Sequence, residues 1–298
     1  MKYVITGGAG HIARPITEKL LAAGHQVTVI GRNADNLKAV TDKGARAAIG
    51  SVEDSAFLSN VFAGADAIYT MIPPKEDATD WKGYIGGVGK KYAEAIRASG
   101  VSHVVNLSSF GAHAPDGCGP VSGLFRAEQA MNELAGTHIL HLRPGYFYYN
   151  FLGNLGMVKN MNIIGSNFGG PGYKHVMSAP PDIADAAVEE LSGLAFTGHS
   201  VRYLASDERS TDEIASVLGS AIGKPDLPWV VFSDEQALGG MLQGGVPQEI
   251  AKNYAEMGHA LHTGLMGEDY WKHRPSVFGK TKLEVFAGTV FANAYKQQ

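Results

Sequence analysis

The first thirty-three residues limit the fold of this chain more than any other stretch. A short apolar run, Tyr3-Val4-Ile5-Thr6, enters Gly7-Gly8-Ala9-Gly10. A helix-like segment follows, and a second apolar run, Val27-Thr28-Val29-Ile30, ends on Gly31-Arg32-Asn33. Strand, glycine turn, helix and strand in that order build a seat for a dinucleotide pyrophosphate. The glycines let the chain turn sharply and bring backbone N–H groups against phosphate. The helix N-terminus adds its partial positive charge.

Two registers of the turn fit. Gly8-x-Gly10-x-x-Ala13 matches the general dinucleotide fingerprint, in which alanine takes the third place. Thr6-Gly7-x-x-Gly10-x-x-Ala13 matches the spacing of short-chain dehydrogenases. Gly7, Gly10, His11 and Ile12 are the residues of the turn expected to meet the cofactor. A site specific for NAD usually ends its second strand on Asp or Glu, which grips the ribose 2′-hydroxyl. Here Gly31 removes that charge and Arg32 supplies a planar cation for a 2′-phosphate. The expected cofactor is therefore NADP(H), with Arg32 and Asn33 at its adenosine end.

The rest of the first half repeats the alternation. Apolar runs at 3–6, 27–30, 45–49, 67–71, 104–107 and 139–142 read as strands. Segments 12–23, 34–43, 54–62, 84–99 and 123–134 read as helices. That pattern predicts an α/β fold: a doubly wound parallel-sheet Rossmann domain over 1–150. Residues 151–298 read as a smaller, mostly helical substrate lobe, with 182–204 returning to the Rossmann domain. Within it, 150–180 reads as irregular loops over the site mouth, and 226–298 as mostly helical.

Ligands of open α/β sheets bind outside the carboxyl ends of the strands. Three further turns fall there. Ser51 and Val52 follow the third strand, where Asp54 reads as a helix cap. Met71, Ile72 and Pro73 follow the fourth, and Ser108 and Ser109 follow the fifth.

Composition narrows the classes. Hydrophobic content of 45% supplies a core, and the net charge of −4 argues against direct nucleic-acid binding. A single cysteine, Cys118, allows no intramolecular disulfide and fits a reducing compartment. No run of about twenty apolar residues predicts a membrane span. A strand starting at residue 2 leaves no leader segment, so a cytoplasmic protein is expected.

Taken in order, these segments resemble the atypical short-chain dehydrogenase/reductases called NmrA-like, within the NAD(P)-binding Rossmann superfamily. The resemblance covers most of the chain. It rests on Thr6 to Ala13, Arg32, Leu107-Ser108-Ser109 and Arg143-Pro144-Gly145-Tyr146-Phe147-Tyr148-Tyr149-Asn150. Asp182-Ile183-Ala184, Phe232-Ser233-Asp234-Glu235 and Gly245-Val246-Pro247 extend it. It implies an NADPH-dependent quinone, dye or isoflavone-type reductase, or a regulator that binds dinucleotide without turnover. A small-molecule acceptor follows from the first, a protein partner from the second, and a monomer or homodimer from either.

One departure matters. Typical short-chain dehydrogenases use a Tyr-x-x-x-Lys pair, whose lysine tunes the phenol for proton exchange. No tyrosine here has lysine four residues on, and the expected lysine position falls near Leu124. Carbonyl–alcohol oxidation and nucleotide-sugar epimerase-like chemistry are both weakened. Hydride transfer to a planar acceptor such as a quinone asks less of a protein acid. Ser108, Ser109, Tyr146, Phe147 and Asn150 are the candidates that orient it. The leading expectation is an NADPH-dependent oxidoreductase. A non-catalytic NADP(H) sensor and an epimerase-like enzyme are the alternatives.

Other signals are weaker. Gly86 to Lys91 lacks the P-loop spacing. His138 and His141 fall on opposite strand faces. His259 and His262 have no third ligand at matching spacing. Asp182 reads as a helix cap, and Glu189 and Glu190 as a solvated face.

Overall fold

The computed structural model describes residues 1–297. Strand β1 (Lys2–Ile5) leads through the glycine turn into α1 (Ala13–Ala22) and β2 (Gln26–Gly31). Then come α2 (Lys38–Thr41), β3 (Arg46–Ile49), α3 (Ser55–Phe62) and β4 (Ala67–Thr70). Helix α4 (Trp81–Ser99), β5 (His103–Leu107), α5 (Pro120–Asn132) and β6 (His138–Pro144) complete the regular alternation.

Period two in the strands sorts their side chains onto two faces. Tyr3, Ile5, Val27, Val29, Tyr69, Val105 and Leu140 join one buried cluster. Val4, Ile30, Ile68, Val104 and Ile139 join the other, with Leu58, Val88 and Tyr92 from α3 and α4. Two opposed apolar faces require helices on both sides, which is the doubly wound arrangement. Asp54 caps α3 by accepting from the Phe57 N–H at 3.0 Å, as its position predicts.

The second half is less local. Short β7 (Tyr146–Phe147) follows β6, then α6 (Leu155–Asn160), β8 (Ile164–Ser166) and β9 (His175–Ser178). Helix α7 (Pro180–Gly193) leads to β10 (His199–Leu204), which pairs in parallel with β6. Strand order in the main sheet is β10-β6-β5-β4-β1-β2-β3, all parallel, so the order reverses between β1 and β4. That reversal opens the crevice where dinucleotides lie.

The remainder comprises β11 (Asp207–Arg209), α8 (Thr211–Ala221), β12 (Trp229–Val231), α9 (Asp234–Gln243) and α10 (Gln248–His262). Helices α11 (Glu268–Lys272), α12 (Leu283–Phe286) and α13 (Ala292–Gln297) follow. The structure corrects the reading of 150–180 as irregular: it holds α6, β8 and β9. Strand β8 pairs in parallel with β12, and β9 lies between β7 and β11.

Two polar readings also change. Asp182 is not a cap, because Ala179 holds that position and Pro180 starts the helix. Its carboxylate instead accepts from Ser206 Oγ at 2.6 Å, Thr281 N at 3.0 Å and Thr281 Oγ1 at 2.9 Å. It thereby ties the C-terminal segment to the sheet. Glu189 and Glu190 are not merely solvated, since both pair with Arg202, at 2.9 and 2.6 Å. No helix among the described residues is long and apolar enough to cross a membrane.

Candidate active site

The glycine turn is built against the end of β4. Gly7 has φ +94°, and a Cβ there would stand 2.9 Å from Met71 Cγ. Only glycine meets both conditions. The Thr6 hydroxyl accepts from the Met71 N–H at 2.8 Å, and Tyr92 donates to the Met71 carbonyl at 2.6 Å. Gly8 N–H donates to the Ile30 carbonyl at 3.1 Å, which holds the turn to β2. Gly10 and His11 are exposed, while Ile12 is buried immediately before α1. No side chain among the described residues caps α1. Arg14 N–H already donates to the Gly10 carbonyl at 3.0 Å and Pro15 has no N–H, so the N–H groups of His11, Ile12 and Ala13, just before and at the helix start, are the ones left to meet an anion.

At the end of β2, Arg32 is exposed and makes no ion pair or hydrogen bond among the described residues. Asn33 is partly committed, because its Oδ1 accepts from the Asp35 N–H at 2.8 Å. Past β3, the Ser51 hydroxyl accepts from the Glu53 N–H at 3.1 Å. Val52 and Ile72 are half-buried against the same core cluster as Ile30. The Pro73 carbonyl accepts from Tyr84 OH at 3.2 Å. These residues form a continuous rim along the carboxyl ends of β1 to β4. A donor-rich turn, an uncapped helix end and a free arginine fit a dinucleotide phosphate.

The two serines after β5 differ. Ser108 N–H donates to the Leu142 carbonyl at 2.8 Å, and the residue is 4% exposed, with no hydrogen-bond partner for its hydroxyl among the described residues. An unpaired buried hydroxyl costs about 1–3 kcal/mol, and a ligand's polar group beside it removes that cost. Ser109 is turned away, donating to the Phe110 carbonyl at 3.0 Å.

Beyond β6 the aromatic run separates. Tyr146 lies in a ring cluster, with centroids 4.7 Å from His175, 5.3 Å from Phe151 and 5.9 Å from Phe168. Burial raises its hydroxyl pKa and keeps it a proton donor. Burial also pushes the His175 imidazole down to about 3, so it stays neutral. Phe147 points elsewhere and packs on the core cluster of β1 and α1. Asn150 is exposed in a 3₁₀ turn over Tyr148–Asn154. Tyr149, the last aromatic of the run after β6, sets its ring 4.3 Å from that of His11.

The usual proton-transfer position is apolar. Pro120 starts α5 and Leu124 is half-buried in the cluster that also holds Tyr146. One turn later, Glu128 makes a buried ion pair with Arg143, at 2.6 Å from Nη2 and 3.0 Å from Nε. Arg143 also donates to the Ala112 carbonyl at 3.1 Å and Tyr203 OH at 3.0 Å. This cluster fixes the segment after Ser108 to β6 without offering a group to substrate. No cluster of three metal-ligating side chains occurs among the described residues, and His259 instead pairs with Asp234 at 2.7 Å.

Comparison with known proteins bears on the cofactor and on the fold. The model of an NAD(P)H-binding family matches residues 7–139, and that part of the chain is an NAD(P)H-binding domain. A (4-alkanoyl-5-oxo-2,5-dihydrofuran-3-yl)methyl phosphate reductase of Streptomyces griseus is 25% identical over 223 residues, 74% of each chain. The NADPH-dependent quinone oxidoreductase of Escherichia coli, solved with NADPH, superposes with a TM-score of 0.81 at 19% identity. The match covers 97% of this chain and 99% of that one. A nucleoside-diphosphate-sugar epimerase of Staphylococcus aureus gives 0.80 at 18% identity, covering 97% and 100%. The fold is thus shared by reductases and epimerases alike, and the site has to discriminate between them.

Proposed function

We propose that this chain is an NADPH-dependent reductase of a small planar acceptor such as a quinone, of the NmrA-like type. The observation that carries the reading is an intact dinucleotide rim beside a proton-transfer position filled by Pro120 and Leu124. Epimerase chemistry needs an acid–base group there, and neither residue is one. The similarity to a Streptomyces griseus reductase supports the same side.

Gly7, Gly10, His11 and Ile12 would hold the pyrophosphate, with Met71, Ile72 and Pro73 along the opposite wall. Arg32 and Asn33 would meet the 2′-phosphate, and Ser51 and Val52 the adenine. The free Arg32 guanidinium next to acid-free Gly31 supports NADPH over NADH. When bound, NADPH supplies a hydride from its nicotinamide ring. The chain's task is then to orient the acceptor and exclude competing water. Ser108 would donate its unpaired hydroxyl to an acceptor oxygen, with Tyr146 and Asn150 at the same mouth. Reduction leaves a delocalised aryl oxyanion, which takes its proton from solvent without a strong protein acid.

The test is NADPH and NADH consumption across a series of benzoquinones and naphthoquinones, with hydroquinone measured as product. Steady turnover with preference for NADPH supports the reading. Tight NADPH binding without turnover on any acceptor overturns it in favour of a redox sensor.

A further inference from the structure

We infer that a second pocket, outside the dinucleotide rim, binds a planar aromatic anion. A cavity of about 420 Å³ lies between the 169–174 loop, the end of α10 and the start of α11. That volume is within the range of about 300–1,000 Å³ usual for small-molecule sites. Gly7, Gly10, Arg32 and Met71 take no part in its lining. Its nearest link to the strand ends is Phe110, two residues past Ser108.

The walls are aromatic and held in place. Phe110 packs edge-on to Tyr270 at 5.5 Å. The Tyr173 hydroxyl is fixed by His175 Nδ1 at 2.7 Å. Trp271 lies over Gly267, where a Cβ would stand 2.8 Å from the indole Nε1. The absence of a side chain at 267 lets the indole settle there. Ring faces so arranged favour a flat ring stacked or edge-on among them.

The polar groups are one-sided. Lys174 and His262 line the cavity, and no Asp or Glu does. Neither makes an ion pair or side-chain hydrogen bond among the described residues, and Trp271 Nε1 donates to nothing there. Unspent donors beside the Lys174 ammonium, above aromatic walls, select an anion carried on a flat ring, through charge-assisted hydrogen bonds. The inference stands whether or not the protein turns over a quinone.

The experiment is calorimetric titration of the full chain with 2-naphthoate, without NADPH and with NADPH at saturation. One site of similar affinity is expected in both. The neutral 2-naphthamide should bind at least tenfold more weakly. Lys174→Met and Trp271→Leu should each weaken 2-naphthoate at least tenfold and leave NADPH affinity unchanged. Lys174 is exposed, so its variant carries the test if Trp271→Leu fails to fold. Failure of 2-naphthoate to bind overturns the inference. So does equal binding of the amide, retention of affinity in Lys174→Met, or displacement by NADPH.

Discussion

The imidazole of His11 and the phenol ring of Tyr149 lie 4.3 Å apart, centroid to centroid, with planes 31° from parallel. The contact joins the turn after β1 to the segment after β6. Tyr149 also reaches Phe286 of α12 at 5.6 Å. Three distant stretches of chain thus share one wall of the rim. An aromatic pair of this kind contributes about 0.5–1.5 kcal/mol beyond area burial. Tyr149→Ala should therefore lower unfolding stability by about that amount and weaken NADPH binding as His11 loses its support, while Tyr149→Phe keeps both. Urea unfolding and equilibrium titration of both variants check this, and equal affinities for wild type and Tyr149→Ala would refute it.

Arg32 carries the cofactor preference. An exposed guanidinium with no partner of its own has nothing to give up when a phosphate arrives. Hydrogen bonds to charged groups contribute about 1.5–3 kcal/mol, so Arg32→Ala should weaken NADPH roughly ten- to a hundredfold. NADH affinity should change by no more than about twofold, since it lacks the 2′-phosphate. Parallel titrations with the two cofactors read the ratio directly. A ratio that does not move sinks the NADPH assignment.

Gly7 is held by two independent constraints. Its φ of +94° lies where side chains are strained, and its missing Cβ leaves room for Met71. Strain of this kind costs about 1–3 kcal/mol. Gly7→Ala should lose about that much stability in urea unfolding, and NADPH affinity should fall with it as the turn's N–H groups tilt. Adding Met71→Ala relieves the contact and leaves the backbone strain. The double variant should recover only part of the loss, and full recovery would show that φ is not limiting.

Strands 1 to 6 were legible because each carries its own apolar run and its helix lies beside it in sequence. Their order, and β10 joining β6, agree with the doubly wound fold expected from that alternation. Strands β8 and β12 were not legible. Each is three residues long, and among the described residues each pairs only with the other, across more than sixty residues of chain. No local period marks them. Asp182 shows the same limit: an acid near a helix start looks like a cap, but its partners are Ser206 and Thr281, which no local pattern points to. At the site, the positions at strand ends could be read from sequence. Which hydroxyl is free could not. Ser108 and Ser109 are neighbours of one type, and only the surrounding backbone turns Ser109 onto Phe110 and leaves Ser108 unpaired.

The Arg143–Glu128 pair should be the most sensitive polar contact in the molecule. The side chains are 8% and 2% exposed, so neither charge reaches bulk water. Breaking a buried pair by removing one partner costs about 3–5 kcal/mol, whereas replacing both with apolar groups is often neutral. Glu128→Gln should lower unfolding stability by about that amount. Arg143→Met combined with Glu128→Leu should restore much of it. Urea unfolding of the three proteins settles the point, and a single variant as stable as wild type would show that the pair is dispensable.

His175 makes stability depend on acid. Its imidazole sits among Tyr146, Phe168 and Tyr173, and burial pushes its pKa down from the usual 6.5 to about 3. Below about pH 6.5 the unfolded chain takes up this proton and the folded chain does not. Stability therefore falls as pH drops, by up to about 1.4 kcal/mol per unit, until the folded group protonates too. Above about pH 6.5 the group is neutral in both states and contributes no slope. His175→Phe suits the same ring cluster but cannot titrate. Losing the Tyr173 hydrogen bond gives it a constant deficit, independent of pH. Its disadvantage relative to wild type should therefore shrink steadily between about pH 6.5 and about pH 4.5. Urea unfolding of both proteins across that range measures the difference, and two parallel curves would rule out a neutral buried imidazole at this position.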